Sequence, residues 1–150
     1  MDNDRTAALE RLQPFVGEWS LQVGFESSLD VTTVFEWALG GHFLVQRTEV
    51  PHPDAPDSMI VVSPDREGDG YTQHYFDSRG VVRLYEMTFR DGLWTLRREK
   101  PDFTPLAFSQ RFTGRFGEEG RTIQGRIEKS HDGGQTWELD FEITYTKVGA

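Results

Sequence analysis

The residues best placed to do chemistry are Arg83, Tyr85, Arg98 and Gln110, with His74 as a conditional fifth. A two-residue hairpin loop fixes which residues face each other across its strands, and Asp91-Gly92 is such a signal. Counting outward pairs Phe89 with Trp94, Met87 with Leu96 and Tyr85 with Arg98, with Arg83 on the same face. The alternate face pairs Thr88 with Thr95 and Glu86 with Arg97 as a polar ladder. Alternation before Phe112 adds Gln110 beside Leu106 and Phe108. Guanidinium groups grip carboxylates and phosphates as a planar fork. Arginines on an apolar face therefore imply internal acids or a bound anion, whereas at a strand end they would simply be paired and solvated. Both readings stand on the sequence. If Ser78-Arg79 is a two-residue turn, His74 lies opposite Arg83 on this face; a three-residue turn moves it outside. An inward His74 could serve as a general base, with Tyr85 or Arg83 steadying developing negative charge.

A second hairpin signal, Gly40-Gly41, sets Leu39 against His42, Trp37 against Leu44 and Phe35 against Gln46. The expected ligand-contacting set is thus Arg83, Tyr85, Arg98, Gln110, His74, Trp94, Trp37 and Phe108. His52, Asp54 and Asp57 share a Pro-rich loop without a supporting shell, so they read as solvated loop charge and no metal site is expected. No hydroxyl nucleophile stands beside a histidine in an elbow motif, no Gly-rich loop opens a helix, and no carboxylate pair is singled out, so no catalytic residue is assigned.

The elements that must position these residues are mostly strands. From Trp19 the apolar residues Trp19, Leu21, Val23 and Phe25 fall on every second position. Ten strands are expected near 17–25, 31–39, 42–50, 58–64, 70–77, 81–90, 93–99, 105–116, 121–130 and 135–147. Ahead of them, Asn3 or Asp4 can cap a short helix bearing Ala8, Leu9 and Leu12, ended by Pro14. Residues 51–57, with three prolines, read as an exposed loop and candidate lid. A three-residue loop at Asp132-Gly133-Gly134 would pair Ile127 with Leu139, Gly125 with Phe141 and Ile123 with Ile143. Sequential hairpins without crossover helices imply an antiparallel meander, and closure into a barrel hides both its apolar face and its edges. The fold class is therefore all-β: one domain over 1–150, a helical cap at 1–16 and a barrel at 17–148, with a two-sheet sandwich as the alternative.

Composition narrows the partners. The chain of 150 residues has 16 Lys and Arg against 25 Asp and Glu, a net charge of −9, which repels nucleic acid and anionic bilayers. Eleven Phe, four Trp and four Tyr supply bulk for a core, and the absence of cysteine removes disulfides and thiolate sites. With no basic, apolar leader in residues 1–16 and no long apolar segment, a soluble cytoplasmic protein, monomer or homodimer, is expected.

Two motifs carry resemblances. Ser130, Asp132, Gly134, Thr136 and Trp137 match S-x-D-x-G-x-T-W and resemble the Asp-box of sialidases and other propellers, a hairpin turn remote from their active sites. On this reading Asp132 accepts hydrogen bonds from turn amides, Gly134 supplies positive φ and Trp137 packs inward. The run Leu9, Leu12, Val16, Gly17, Trp19, together with YFDSRGVVRLYEMTF, resembles a family of small bacterial lipocalin-like proteins of unknown function, within the wider lipocalin, fatty-acid-binding and nitrobindin group of barrels. The likeness spans nearly the whole chain and implies a calycin-like barrel in which Gly17 and Trp19 close one end without chemistry. It departs from its relatives where it matters: Ile143 stands where fatty-acid-binding proteins have the arginine of R-x-Y before Tyr145, and the last strand lacks the haem-ligating histidine of nitrobindins. The expected function is binding of a small apolar or amphipathic ligand, anionic if the arginines meet it. The alternatives are a haem or redox barrel using His74 or His42, an enzyme using His74, and a structural barrel filled by its own side chains.

Overall fold

The computed structural model describes residues 2–23, 26–51, 53–65, 70–103 and 107–149, without the side chains of 2–3, 26–30 and 118. A helix α1 (Asp2–Glu10) and a 3₁₀ turn at Gln13–Phe15 precede ten strands. These are β1 (Gly17–Val23), β2 (Glu26–Ala38), β3 (Phe43–Glu49), β4 (Ser58–Pro64), β5 (Tyr71–Asp77), β6 (Val82–Arg90), β7 (Leu93–Arg98), β8 (Ser109–Phe116), β9 (Thr122–Ser130) and β10 (Glu138–Lys147). Every neighbour in sequence pairs antiparallel and β1 pairs with β10, so the meander closes into a barrel with no free edge. Among the described residues no helix is long and apolar enough to cross a membrane.

Several expected boundaries move, among them β8, which starts at Ser109 and not near 105, and β10, which starts at Glu138 and not near 135. Strand β2 starts at Glu26, not near 31, and α1 starts at Asp2, which places Asn3 and Asp4 inside the helix instead of at its cap. Both tight turns hold their register: Phe89 faces Trp94, Met87 faces Leu96, Trp37 faces Leu44 and Phe35 faces Gln46. The last hairpin does not. Ile127 pairs with Phe141, Gly125 with Ile143 and Ile123 with Tyr145, with a bulge between Leu139 and Phe141. A displacement of two residues preserves the faces, so Ile123, Ile127, Ile143 and Tyr145 still build the interior, but Leu139 is exposed. The ring that lies over glycine is Phe112, not Phe141. A Cβ built at Gly125 would stand 2.6 Å from Phe112 and one at Gly114 would stand 2.9 Å from it.

One end of the barrel is filled. Phe15 packs its ring 4.8–5.3 Å from those of Phe35, Phe89, Trp94 and Phe116, at distances that favour tilted and edge-on aromatic pairs. The helix is fastened there by Tyr71, whose hydroxyl donates to Ala8 O at 2.7 Å, and Trp19 Nε1 donates to Phe15 O at 2.8 Å. Lys147 Nζ donates to Val16 O at 2.8 Å and lies 5.0 Å over the Trp19 ring. Gly17 stands at this junction with φ +133°, where a Cβ would come within 2.9 Å of Lys147 Cε.

Candidate ligand cavity

The filled end does not extend through the barrel. An eight-stranded barrel is just wide enough for its side chains to fill, whereas ten strands enclose more room. Between Trp94 and the loop joining β3 to β4 there is a cavity of about 440 Å³. Its wall is mostly aliphatic and aromatic, with Leu21, Val31, Ile60, Leu96, Phe112 and Ile143 among its lining. Val50, Ala55 and Ser58 bring the Pro-rich loop to its rim. In that loop Pro51, Pro53, Asp54 and Asp57 are exposed, as expected, and Asp57 ties it down: Oδ1 accepts from the Val50 amide at 2.9 Å, and the Asp57 amide donates to Ser78 Oγ at 3.0 Å.

The polar members of the wall arise from strand alternation. On β5 the inward residues are Tyr71, Gln73 and Tyr75, because three residues, Ser78 to Gly80, separate the closing residues Asp77 and Val81. This corrects one reading of His74. It faces Leu84 in the ladder and stacks on Phe76 at 6.3 Å on the outer surface, away from the cavity. Tyr85 donates to Gln110 Oε1 at 3.1 Å, and both line the cavity. Gln46 donates to Thr33 Oγ1 at 3.1 Å and lies against the Tyr145 hydroxyl. Burial pushes the Tyr145 phenol up to about 12, and it also raises that of Tyr85, so both stay protonated across ordinary pH. Tyr75, raised to about 12 by burial and then by Asp77, donates to Asp77 Oδ2 at 2.9 Å.

The two arginines resolve in different ways. Arg98 is buried and held by an internal acid: Nε donates to Asp102 Oδ2 at 2.9 Å, and Nη2 donates to Oδ1 at 3.0 Å. Asp102 Oδ2 also accepts from the Leu84 amide at 2.9 Å. Neither Arg98 nor Arg83 is on the cavity wall, although Arg83 hydrogen-bonds Tyr85 and its Nε is buried without a partner. Asp102 escaped the sequence reading because it follows β7 in a loop, where no periodicity points at it.

Other expected contacts fall elsewhere. Trp94 lines the cavity, but Trp37 lies at the opposite end, where its indole donates to Gln13 Oε1 at 3.3 Å beside α1. Phe108 packs against His131 at 5.6 Å and is not on the wall. Leu106, expected beside Gln110, lies outside the described residues. Trp137 does not join the core: it lies under the Arg111 guanidinium at 4.2 Å, on the outward register. Around it the turn closes on Asp132, whose Oδ1 accepts from the Thr136 amide at 2.9 Å and from Ser130 Oγ at 2.7 Å. Gly133 and Gly134 there take φ +73° and +92°. The Thr136 hydroxyl and amide, followed by Ser130, hold the Asp132 carboxyl at about 2.

A haem in this cavity would need an axial ligand from its wall, and among the described residues no histidine supplies one. His42 and His131 are exposed and His74 faces outward, so none of the three described histidines reaches the cavity; His52 lies outside the described residues. The same placement withholds the imidazole base that an inward His74 would have supplied. Among the described residues no group of three His, Cys, Asp or Glu side chains could hold a metal ion.

Fold and site together define a closed ten-stranded antiparallel barrel, consistent with a calycin-like architecture, with one end plugged and a neutral, largely apolar cavity in the other half. No protein-family model matches the sequence, and no curated protein matches it either.

Proposed function

We propose that this protein is a lipocalin-like binding protein that takes a small apolar or amphipathic molecule into the barrel. The observation that carries this reading is the cavity of about 440 Å³, a volume within the range of small-molecule sites, walled by apolar side chains with a few polar groups. An interior that only had to be stable would be packed, because a void forfeits dispersion contacts along its whole lining. Here the aromatic cluster around Phe15 fills the helix end and leaves the space in the other half open. Nile red, an uncharged lipophilic dye, tests the reading: its emission should rise and shift to the blue on addition of the protein, and competing lipophiles should reverse the change. Failure of the dye and of a broad lipophile panel to form any complex in native mass spectrometry would reject it.

A further inference from the structure

The inward face of the barrel is built in tiers that the strand register fixes. Phe89, Trp94 and Gly114 face one another across β6, β7 and β8 nearest the sealed end, and Met87, Leu96 and Phe112 form the next tier. One tier further towards the open half the apolar lining is interrupted, because Gln110 stands beside Arg98 there and Tyr85 faces Gln73. Tyr85 and Gln110 both line the cavity and both are only partly buried, so this tier carries polar groups that a guest molecule can reach.

Which atom the tier presents follows from its hydrogen bonds. Arg83 hydrogen-bonds the Tyr85 phenol, and a guanidinium can only donate. The phenol proton therefore goes onward, and Tyr85 donates to Gln110 Oε1 at 3.1 Å. With its oxygen engaged, the Gln110 carboxamide turns its amino group away from Tyr85. Among the described residues Nε2 donates to nothing, yet it is not one of the buried unpartnered atoms, which are Gln73 Oε1, Arg83 Nε and Trp94 Nε1. It thus keeps accessible surface and an unused donor.

The charge behind this donor has one sign. Arg98 is neutralised by Asp102, whereas Arg83 forms no ion pair with a described carboxylate. Arg111 also borders the cavity, but its guanidinium donates to Glu128 Oε1 at 2.9 Å over the Trp137 ring on the outer side. An ammonium head has donors and no acceptor, so at this tier it would meet a donor with a cation behind it. An oxygen with a free lone pair would complete the row of hydrogen bonds.

We infer that the cavity takes an amphipath whose head carries an acceptor oxygen, seated against Gln110 Nε2, with its apolar body running down past Phe112 and Leu96 to Trp94. This rests on the cavity being a ligand site at all, and it makes Gln110 the residue that sets head-group preference. The net charge of −9 would by itself draw cations, the opposite preference.

The test compares dodecanoate, 1-dodecanol and dodecylammonium as competitors of Nile red at neutral pH, each below the concentration at which it forms micelles. The carboxylate and the alcohol are each expected to compete at least about tenfold better than the ammonium, the factor that about 1.4 kcal/mol gives. Gln110→Leu should bring both down to the level of the ammonium, and Gln110→Glu should reverse the order so that the ammonium competes best, with circular dichroism confirming the fold of each variant. A carboxylate ahead of the alcohol, its lead lost in Arg83→Gln, identifies the acceptor as an anion; an alcohol equal or ahead identifies a neutral head. Ammonium competing as well as the other two in the native protein overturns the inference while leaving the cavity reading intact. A preference that both Gln110 variants leave unchanged overturns it as well. If none of the three competes and the dye itself does not bind, the cavity reading falls and this inference with it.

Discussion

Arg98 and Asp102 are each 4% exposed in their side chains and are joined by two hydrogen bonds. Taking both charges out of water is costly, and their attraction together with the Leu84 amide offsets that cost only while both are present. Asp102→Ala is therefore expected to lower the unfolding free energy by about 3–5 kcal/mol, because it strands a buried guanidinium. A double replacement, Arg98→Met with Asp102→Leu, should recover most of that loss in urea denaturation. A double variant as unstable as the single one would show that shape, not charge pairing, is what the site needs. Asp77 governs the acid side. Burial alone would raise its pKa, but hydrogen bonds from Arg79, Tyr75 and the Arg79 and Val81 amides prevail and hold it at about 2. A carboxyl whose pKa is depressed by folding contributes stability above its ordinary pKa of about 4, and that contribution drains away as pH falls towards about 2. The melting temperature of the native protein should fall across that window more steeply than that of Asp77→Asn. Matching slopes would assign the acid sensitivity to other carboxyls. The partner of Arg98 was invisible in the sequence for a physical reason: strand periodicity ranks residues by face, and a loop aspartate has none. What periodicity could show was that a buried arginine needed an acid or an anion.

Hairpin turns carried the information at the level of elements, and the turns that misled did so in instructive ways. Asp91 and Gly92 take positive φ and close β6 on β7 with no irregularity, so counting from them gives the true pairs. Around Asp132 the connection between the paired residues Lys129 and Glu138 spans 130–137, far more than a three-residue loop, because Ser130 and Thr136 bond back to Asp132 and Trp137 is drawn onto Arg111. The extra chain is absorbed by the bulge at Leu139–Phe141. Even displacement kept the core residues on their face, but the odd displacement at Ser78 to Gly80 turned His74 out and Gln73 and Tyr75 in. The corrected pairing makes a sharp prediction. The Phe112 ring covers Gly114 and Gly125, and a methyl at Gly125 would approach Phe112 to 2.6 Å and Ile143 to 3.0 Å. Gly125→Ala should cost about 1–3 kcal/mol by overpacking. Combining it with Phe112→Leu should yield a total loss smaller than the sum of the two single losses, the mark of residues that share one contact. Strict additivity would mean that the ring swings aside freely.

At the scale of the whole barrel, the packed aromatic cluster and the cavity occupy different halves. The helix end is sealed by Phe15, Trp19 and the tyrosine clasp of α1, so the fold does not depend on what occupies the cavity. The other half keeps its space because ten strands set a circumference that the inward side chains of Leu96, Ile60 and Ile143 do not span. Two consequences separate a binding barrel from one that is merely loosely packed. A ligand at about a hundred times its dissociation constant stabilises the native state by about 2.7 kcal/mol, which for a chain of this size raises the melting temperature by about 5–10 °C. Ile60, on the cavity wall and only partly buried, is the position at which that shift can be removed without touching the sealed end. Ile60→Trp should place an indole in the cavity, leave the unliganded melting temperature equal or higher through the contacts it restores, and abolish the ligand-induced rise for 1-dodecanol and Nile red alike. A melt that falls by several degrees, with the ligand shift retained, would mean that the ring has been forced outward and that the cavity is more rigid than its apolar lining implies. A ligand shift that survives with the melt unchanged would place the bound molecule outside the barrel, on a surface the cavity does not share.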